Sequence, residues 1–311
     1  MRASSPLRAT VAVAVAFMMM LACDSAADSE PPADAPPAMP ASGTGTVTID
    51  GREVTVHVPE SYDPGRPAPL VVGLHGYTSY GSEMESYMRL TPESERRGFV
   101  YAYPDGLTDN RGNRFWDATD ACCDFYGAGP DDSRRLSELI TTLQGAYRID
   151  PARVYLIGHS NGGFMSFRMA CDHADQVTAI VSLNGATWND PAKCRPSEPV
   201  SVLAIHSSAD ETIAFDGGRN GRNAYPSAPA TVAQWLGHNG CAESGRAAAS
   251  LDLVVDLPAA ETSVRSYEQG CADGSTVRTW TINGGRHVPQ LGPAFAPAVT
   301  DFMLSQVKPA R

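Results

Sequence analysis

The pentapeptide Gly158-His159-Ser160-Asn161-Gly162 sets one serine between two glycines. The apolar run RVYLIG precedes it, and NGGFMSFRMACDHA, with apolar residues at helical spacing, follows. A sharp strand-to-helix turn of this kind strains the serine backbone and pushes its hydroxyl out at the carboxyl end of a sheet. Small residues two positions away on either side are needed because neighbouring backbone passes close by. The helix beginning at Asn161 aims unpaired N–H groups and its positive dipole end at the same point. The chemistry is covalent attack by an activated hydroxyl on an acyl carbon. A glycine-rich turn without chemical consequence would not require both the apolar strand before it and the apolar-period helix after it.

A serine hydroxyl needs a base, and in this strand–turn–helix context the acid follows the serine and the histidine comes last. The histidines after Ser160 are His173, His206, His238 and His287. His287 lies in NGGRHVPQ, directly after the apolar strand 276–282 and before the last helix, where a loop can carry a base. His173 and His238 fall at helix ends and suit solvated positions, while His206 lies in or at the end of a strand and suits a structural role. Asp210, in HSSADETIAFDGG, follows strand 200–206 by a few residues and is the acid that would hold the imidazole tautomer. Asp216 is the alternative, although Gly217-Gly218 beside it suggests a turn. Two backbone N–H groups must meet the developing oxyanion. Asn161 supplies one, and Tyr77 in LHGYT supplies the other, with Thr78 as the neighbour that would replace it. His75 reads as a brace for that loop.

The elements that must position these groups are visible in the apolar pattern. Segments 68–76, 99–106, 154–160, 177–185 and 200–208 are continuous apolar runs, as expected of strands buried on both faces. Helical spacing marks 133–147, with Asp131 or Asp132 as N-cap, and also 161–174, 230–240 and 293–306. Two alternating runs around Asp50-Gly51 form a leading hairpin. Together they predict an α/β fold: a mostly parallel central sheet, helices on both faces and an N-terminal antiparallel hairpin at its edge. No linker divides residues 46–311, which read as one domain of sufficient size for a large core.

The chain has 311 residues, 42% hydrophobic and 19% charged, with a net charge of -11. That charge excludes nucleic acid as the expected partner, because phosphate binding needs clustered Lys and Arg. Residues 1–22 have the basic start and short apolar run of an export signal. The run ends at Met20-Leu21-Ala22-Cys23, which resembles a bacterial lipobox and would place a lipid anchor on Cys23; plain secretion with cleavage nearby is the alternative. Residues 23–45 are rich in Pro, Ala, Ser and acidic residues and read as a tether. Six cysteines remain: Cys122, Cys123, Cys171, Cys194, Cys241 and Cys271. In an oxidising compartment they suggest disulfides. The expected local pairs are Cys171–Cys194 and Cys241–Cys271, with Cys122 and Cys123 either a vicinal pair or both free. No Cys-x-x-Cys pair or matching His spacing points to a metal.

The segments LHGYTS, YPDG, FWDATDACC, GHSNGGFMSFRMAC, HSSADETIAFDGG and GGRHVP together resemble the exported α/β-hydrolases of the polyhydroxybutyrate depolymerase and feruloyl esterase type. The resemblance spans residues 46–306 and implies Ser160, Asp210 and His287 as a triad. It also places Trp116 near a substrate cleft, with a buried anchor as the other reading. Trp188 is a further cleft aromatic or a core residue. Where that family often has Gly-Gly-His followed by Trp-Pro, this chain has Arg286 before the histidine and Val288-Pro289 after it.

The implied function is serine carboxylesterase chemistry without a cofactor. Its expected substrate is a polyhydroxyalkanoate oligomer or other polyester outside the cytoplasm. The alternatives are a feruloyl or acetyl ester on plant polysaccharide, a peptidase of the same fold, and, in another class, a non-catalytic binding lipoprotein.

Overall fold

The structure is a computed structural model that describes Met1 and residues 39–49, 51–258 and 260–309. The chain divides into two units, Met1–Pro36 and Pro37–Arg311. Of the first only Met1 is described, so the expected signal peptide at 1–22, the lipidation of Cys23 and most of the tether lie outside the described residues. Everything below concerns the second unit.

The leading hairpin is β1 (Gly43–Ile49) and β2 (Arg52–Val58). Its first residue, Gly43, already pairs with Val58, so ordered structure begins before the expected boundary at 46. Next come β3 (Ala68–Leu74), two short helices α1 (Gly81–Met88) and α2 (Thr91–Arg97), and β4 (Val100–Pro104). A small hairpin, β5 (Leu107–Thr108) and β6 (Arg114–Phe115), precedes α3 (Asp132–Ala146). Asp131 caps α3 by accepting the Arg134 amide. Then follow β7 (Ile149–His159), α4 (Asn161–Asp172), β8 (Ala179–Leu183) and β9 (Ser201–Ser207). A second small hairpin, β10 (Gly218–Asn220) and β11 (Asn223–Tyr225), leads to α5 (Ala228–Asn239). The chain closes with β12 (Arg246–Leu251), β13 (Thr262–Tyr267), β14 (Val277–Ile282) and α6 (Phe295–Ser305).

Ten strands form one sheet in the order β1-β2-β4-β3-β7-β8-β9-β14-β13-β12. The six central strands, from β4 to β14, are parallel, and both edges are antiparallel. The period-2 alternation of strand side chains divides the core into two layers. Leu70, Val72, Val154, Leu156 and Ile180 face α3, α4 and α5, together with Leu136, Phe164 and Trp235. Val71, Tyr155, Ile157, Val181 and Leu203 face α1 and α6, with Met84, Phe295 and Phe302. Burial on both faces is why these strands are continuously apolar in sequence. Helices α1 and α2 escaped sequence reasoning because they are short and mostly polar, and β12 because RAAASL carries no strand pattern.

All six described cysteines pair: Cys171 with Cys194, Cys241 with Cys271, and Cys122 with its neighbour Cys123 across a cis peptide bond. The segment around the vicinal pair folds back on itself, with the Cys123 amide donating to the Trp116 carbonyl. Beside it sits half-buried Asp117. Burial, then the negative charge of Asp124, raises its pKa to about 6.

Two consequences can be measured. Replacing Cys171 and Cys194 together by alanine opens a loop with a sequence separation of 23. Non-reducing urea denaturation should show a loss of roughly 3 kcal/mol, and an unchanged midpoint would contradict the bond. Asp117 holds its proton more tightly folded than unfolded, so its charging costs stability as pH rises from 3.8 towards about 6 and adds no further cost above that. Asp117→Asn should therefore stabilise the protein at pH 7 by about 1 kcal/mol, after allowing for solvent screening, and by nothing at pH 3.5. The same gain at both pH values would refute the charge argument.

Candidate active site

Ser160 sits in the tight turn between β7 and α4 at φ 54° and ψ −117°, a strained conformation for a side-chain-bearing residue. Its amide is tied to the Leu183 carbonyl of β8 at 2.8 Å. The glycines on either side are required by contact. A Cβ at Gly158 would lie 2.1 Å from the Gly162 carbonyl oxygen, and one at Gly162 would lie 2.0 Å from the Leu74 carbonyl oxygen. The start of α4 is thereby pressed against the end of β3, and the serine hydroxyl is left at the carboxyl edge of the parallel strands.

At that edge three side chains form one hydrogen-bonded chain. His287 Nε2 lies 2.8 Å from Ser160 Oγ. His287 Nδ1 lies 2.8 Å from Asp210 Oδ2 and 3.0 Å from Oδ1. Asp210 Oδ1 also accepts the Thr212 and Ile213 amides, each at 2.8 Å. Burial alone would raise the Asp210 pKa, but the hydrogen bond and charge of His287, with those two amides, outweigh it and hold the carboxyl below its ordinary value. Asp210 thus stays ionised and faces the imidazole nitrogen remote from the serine. Asp216, the alternative acid, is exposed in a turn and does not join this chain.

Two other histidines serve the frame. His206 Nε2 donates to the Ile213 carbonyl at 2.8 Å and steadies the loop that carries Asp210. His75 Nε2 accepts the Gly106 amide at 2.9 Å, so its proton resides on Nδ1, which donates to the Gly76 carbonyl at 2.7 Å. Burial lowers the pKa of both, which keeps them neutral. His75 therefore braces the loop after β3. In that loop the Thr78 amide is committed to the Arg114 carbonyl at 2.8 Å, whereas the Tyr77 amide has no acceptor among the described residues. Tyr77, not Thr78, is thus left with a free N–H beside Ser160, and Asn161 is the first residue of α4, where no intrahelical acceptor exists.

Sequence reasoning missed Asn184 and Glu211. Asn184, at φ 54°, accepts the Ser207 amide at 2.7 Å and donates to the His287 carbonyl at 2.8 Å. One side chain thus ties the end of β8 to β9 and to the histidine loop. Glu211 accepts the His287 amide at 3.2 Å. The Asn-Gly after an apolar strand was the only signal for Asn184.

Trp116 and Trp188 require correction, since neither lines the cleft at Ser160. That cleft, about 300 Å³, is walled by Gly76, Tyr77, Met84, Tyr87, His159 and Val288, among others. Trp116 is only 2% exposed. Its indole N–H donates to the His75 carbonyl at 3.1 Å, and its backbone N–H and C=O are both held by the Asn161 side chain, at 2.8 and 2.9 Å. It is an anchor beneath the site. Trp188 is half-buried over α4 and α5, with Arg168 and Lys193 against its ring and its carbonyl accepting from Gln234. An indole is large enough to be drawn into packing wherever a partner for its N–H or its face exists, and the sequence does not show which way it turns. Among the described residues no three His, Cys, Asp or Glu side chains converge as a metal site would require.

Comparison with known proteins gives the following. The model of a family described as putative esterase matches residues 47–243. The chain is 34% identical over 159 residues to a putative esterase, NocK, of Nocardia uniformis subsp. tsuyamanensis, covering 50% of this chain and 45% of that protein. It is 26% identical over 263 residues to feruloyl esterase B of Piromyces equi, covering 81% of this chain and 46% of the relative. The chain therefore spans about half the length of these two relatives. Feruloyl esterase D of Neurospora crassa is 26% identical, with 79% of this chain and 78% of that protein aligned. Among solved structures, an acetyl xylan esterase from Aspergillus awamori superposes with a TM-score of 0.60 at 16% identity, over 84% of this chain and 98% of that one, a likeness of fold.

The close backbone approach at Gly162 has a direct test. Gly162→Ala should cost at least about 3 kcal/mol in urea unfolding, because the obstacle is backbone that cannot step aside. An alanine variant within about 0.5 kcal/mol of the wild type would be incompatible with the contact.

Proposed function

The chain belongs to the esterase family whose model it matches, and within that family we propose that it is a serine carboxylesterase acting on feruloyl or acetyl esters of polysaccharide. The observation that carries the reading is the continuous chain Ser160–His287–Asp210, with 2.8 Å at each link. In this mechanism His287 takes the serine proton as Ser160 Oγ attacks the ester carbonyl. The Tyr77 and Asn161 amides receive the oxyanion, and ionised Asp210 stabilises the imidazolium. His287 then passes its proton to the leaving alcohol. Water attacks the acyl-enzyme by the same route and returns the serine. The substrate class is supported by the names of the relatives, feruloyl esterases and an acetyl xylan esterase. The polyester expected from the sequence has no comparable support and becomes the second arm of the test. Three disulfides support work in an oxidising compartment outside the cytoplasm. A membrane partner would be reached through a lipid on Cys23, and among the described residues no helix is long and apolar enough to cross a bilayer.

The test is hydrolysis of methyl ferulate, acetylated xylan, a nitrophenyl butyrate and hydroxybutyrate oligomers by wild type and Ser160→Ala. The expected outcome is highest kcat/KM on the feruloyl or acetyl substrate and a loss of at least about 10³-fold in the variant. Preference for the oligomers would move the substrate to the polyester arm. A folded wild type silent on every ester would leave the peptidase and binding-protein alternatives standing.

A further inference from the structure

His159, the residue before Ser160, lines the cleft, and its geometry gives it a role of its own. Its ring is caged by Tyr87 at 5.4 Å and His287 at 5.1 Å between centroids. Nε2 lies 2.8 Å from the His287 carbonyl oxygen. A carbonyl can only accept, so the proton of the neutral ring resides on Nε2 and Nδ1 carries a bare lone pair. That lone pair has no partner among the described residues, although His159 is 92% enclosed, its exposure being 8%. It borders the cleft beside Gly76, where an added Cβ would touch both His159 Nδ1, at 3.3 Å, and Ser160 Cβ, at 3.6 Å. A side chain on residue 76 would therefore crowd the space between His159 Nδ1 and the Ser160 side chain, and glycine keeps it open.

Two other side chains on this wall already have partners. The Tyr87 hydroxyl donates to the Pro289 carbonyl at 3.0 Å, and Glu83, at the exposed mouth, accepts from Ser79 at 2.8 Å. Burial, reinforced by the charge of His287, lowers the His159 pKa to about 4, so the lone pair persists at neutral pH. A purely alkyl group in this gap would leave a desolvated acceptor unpaired, which is costly; a hydroxyl would satisfy it.

We propose that His159 is a specificity-determining residue whose Nδ1 accepts a hydrogen bond from a substrate hydroxyl close to the scissile ester. The inference rests on the reading of Ser160 as nucleophile. The hydroxyl has two chemical sources: the acyl group, as in a 3-hydroxyacyl ester, or the alcohol, as in a sugar with a hydroxyl vicinal to its ester. Both present the same donor to the same gap.

Matched substrates distinguish the sources. Nitrophenyl 3-hydroxybutyrate against nitrophenyl butyrate tests the acyl side, and trans-2-hydroxycyclohexyl acetate against cyclohexyl acetate tests the alcohol side. The variants separate His159's two bonds. In His159→Gln the side-chain amide reaches the former Nε2 position and keeps the bond to His287, but leaves no acceptor at the former Nδ1 position. In His159→Asn an oxygen stands near the former Nδ1 position and the bond to His287 is lost. The expected result is that the kcat/KM ratio of hydroxylated to plain ester, in at least one arm, falls about tenfold in His159→Gln and is retained in His159→Asn. In Ser160→Ala protein, the His159 Nδ1 nitrogen resonance should shift on saturation with the hydroxylated ester of that arm and not with its plain partner. Equal losses on both members of each pair in His159→Gln, or an unmoved Nδ1 resonance, would overturn the proposal. Turnover that survives in Ser160→Ala would instead overturn the nucleophile reading, so the two failures are distinguishable.

Discussion

One backbone constraint organises this molecule: the first turn of α4 must pass almost in contact with the ends of β3 and β7. Gly158 and Gly162 permit it, and a side-chain carbon at either position would fall within 2.1 Å of backbone. The approach holds Ser160 in its left-handed conformation and presents the free amides of α4 to the cleft. Strain of this sort persists only where surroundings over-determine it. Here they do so through the Leu183 carbonyl on the Ser160 amide and through the two core layers that clamp β7 and α4.

Asp210 and His287 reach Ser160 because of strand order. β8, β9 and β14 are consecutive neighbours after β7 and run parallel, so the segments after β9 and β14 emerge on the same edge as Ser160. Loops alone would leave Asp210 and His287 imprecisely placed. Asn184 ties β8 to β9 and to the His287 carbonyl, His206 steadies the loop that carries Asp210, and Glu211 holds the His287 amide. These are short bonds between elements already fixed by the sheet, so their geometry costs little further ordering entropy.

On the other side of Ser160, Trp116 and the vicinal cysteines act as a buttress. The Asn161 side chain grips both backbone groups of Trp116, while its amide Nδ2 also meets Cys122 Sγ at 3.4 Å. The His75 carbonyl receives the indole N–H, and so the loop bearing the free Tyr77 amide rests on the same anchor. Two walls of the site, the start of α4 and the loop after β3, are thereby referenced to one buried aromatic.

Much of this was legible in the chain because its signals are local. Continuous apolar runs reveal strands buried on both faces, and the glycines around Ser160 reveal a turn that tolerates no side chain there. The ordered positions of Asp210 and His287 after strands follow from the same local reading. The cysteine pairs closed loops short enough to anticipate. What the sequence did not reveal depends on the side from which another element arrives. Whether an indole faces a cleft or a core was decided for Trp116 by the Asn161 side chain and the His75 carbonyl, which lie 45 and 41 residues away. Whether the Tyr77 or the Thr78 amide is free was decided by the Arg114 carbonyl. Asn184 and His159 look unremarkable in sequence and acquire their roles from His287, more than 100 residues further on. Local chemistry is written in local spacing, but a hydrogen-bond partner contributed by a distant strand exists only after the sheet has assembled.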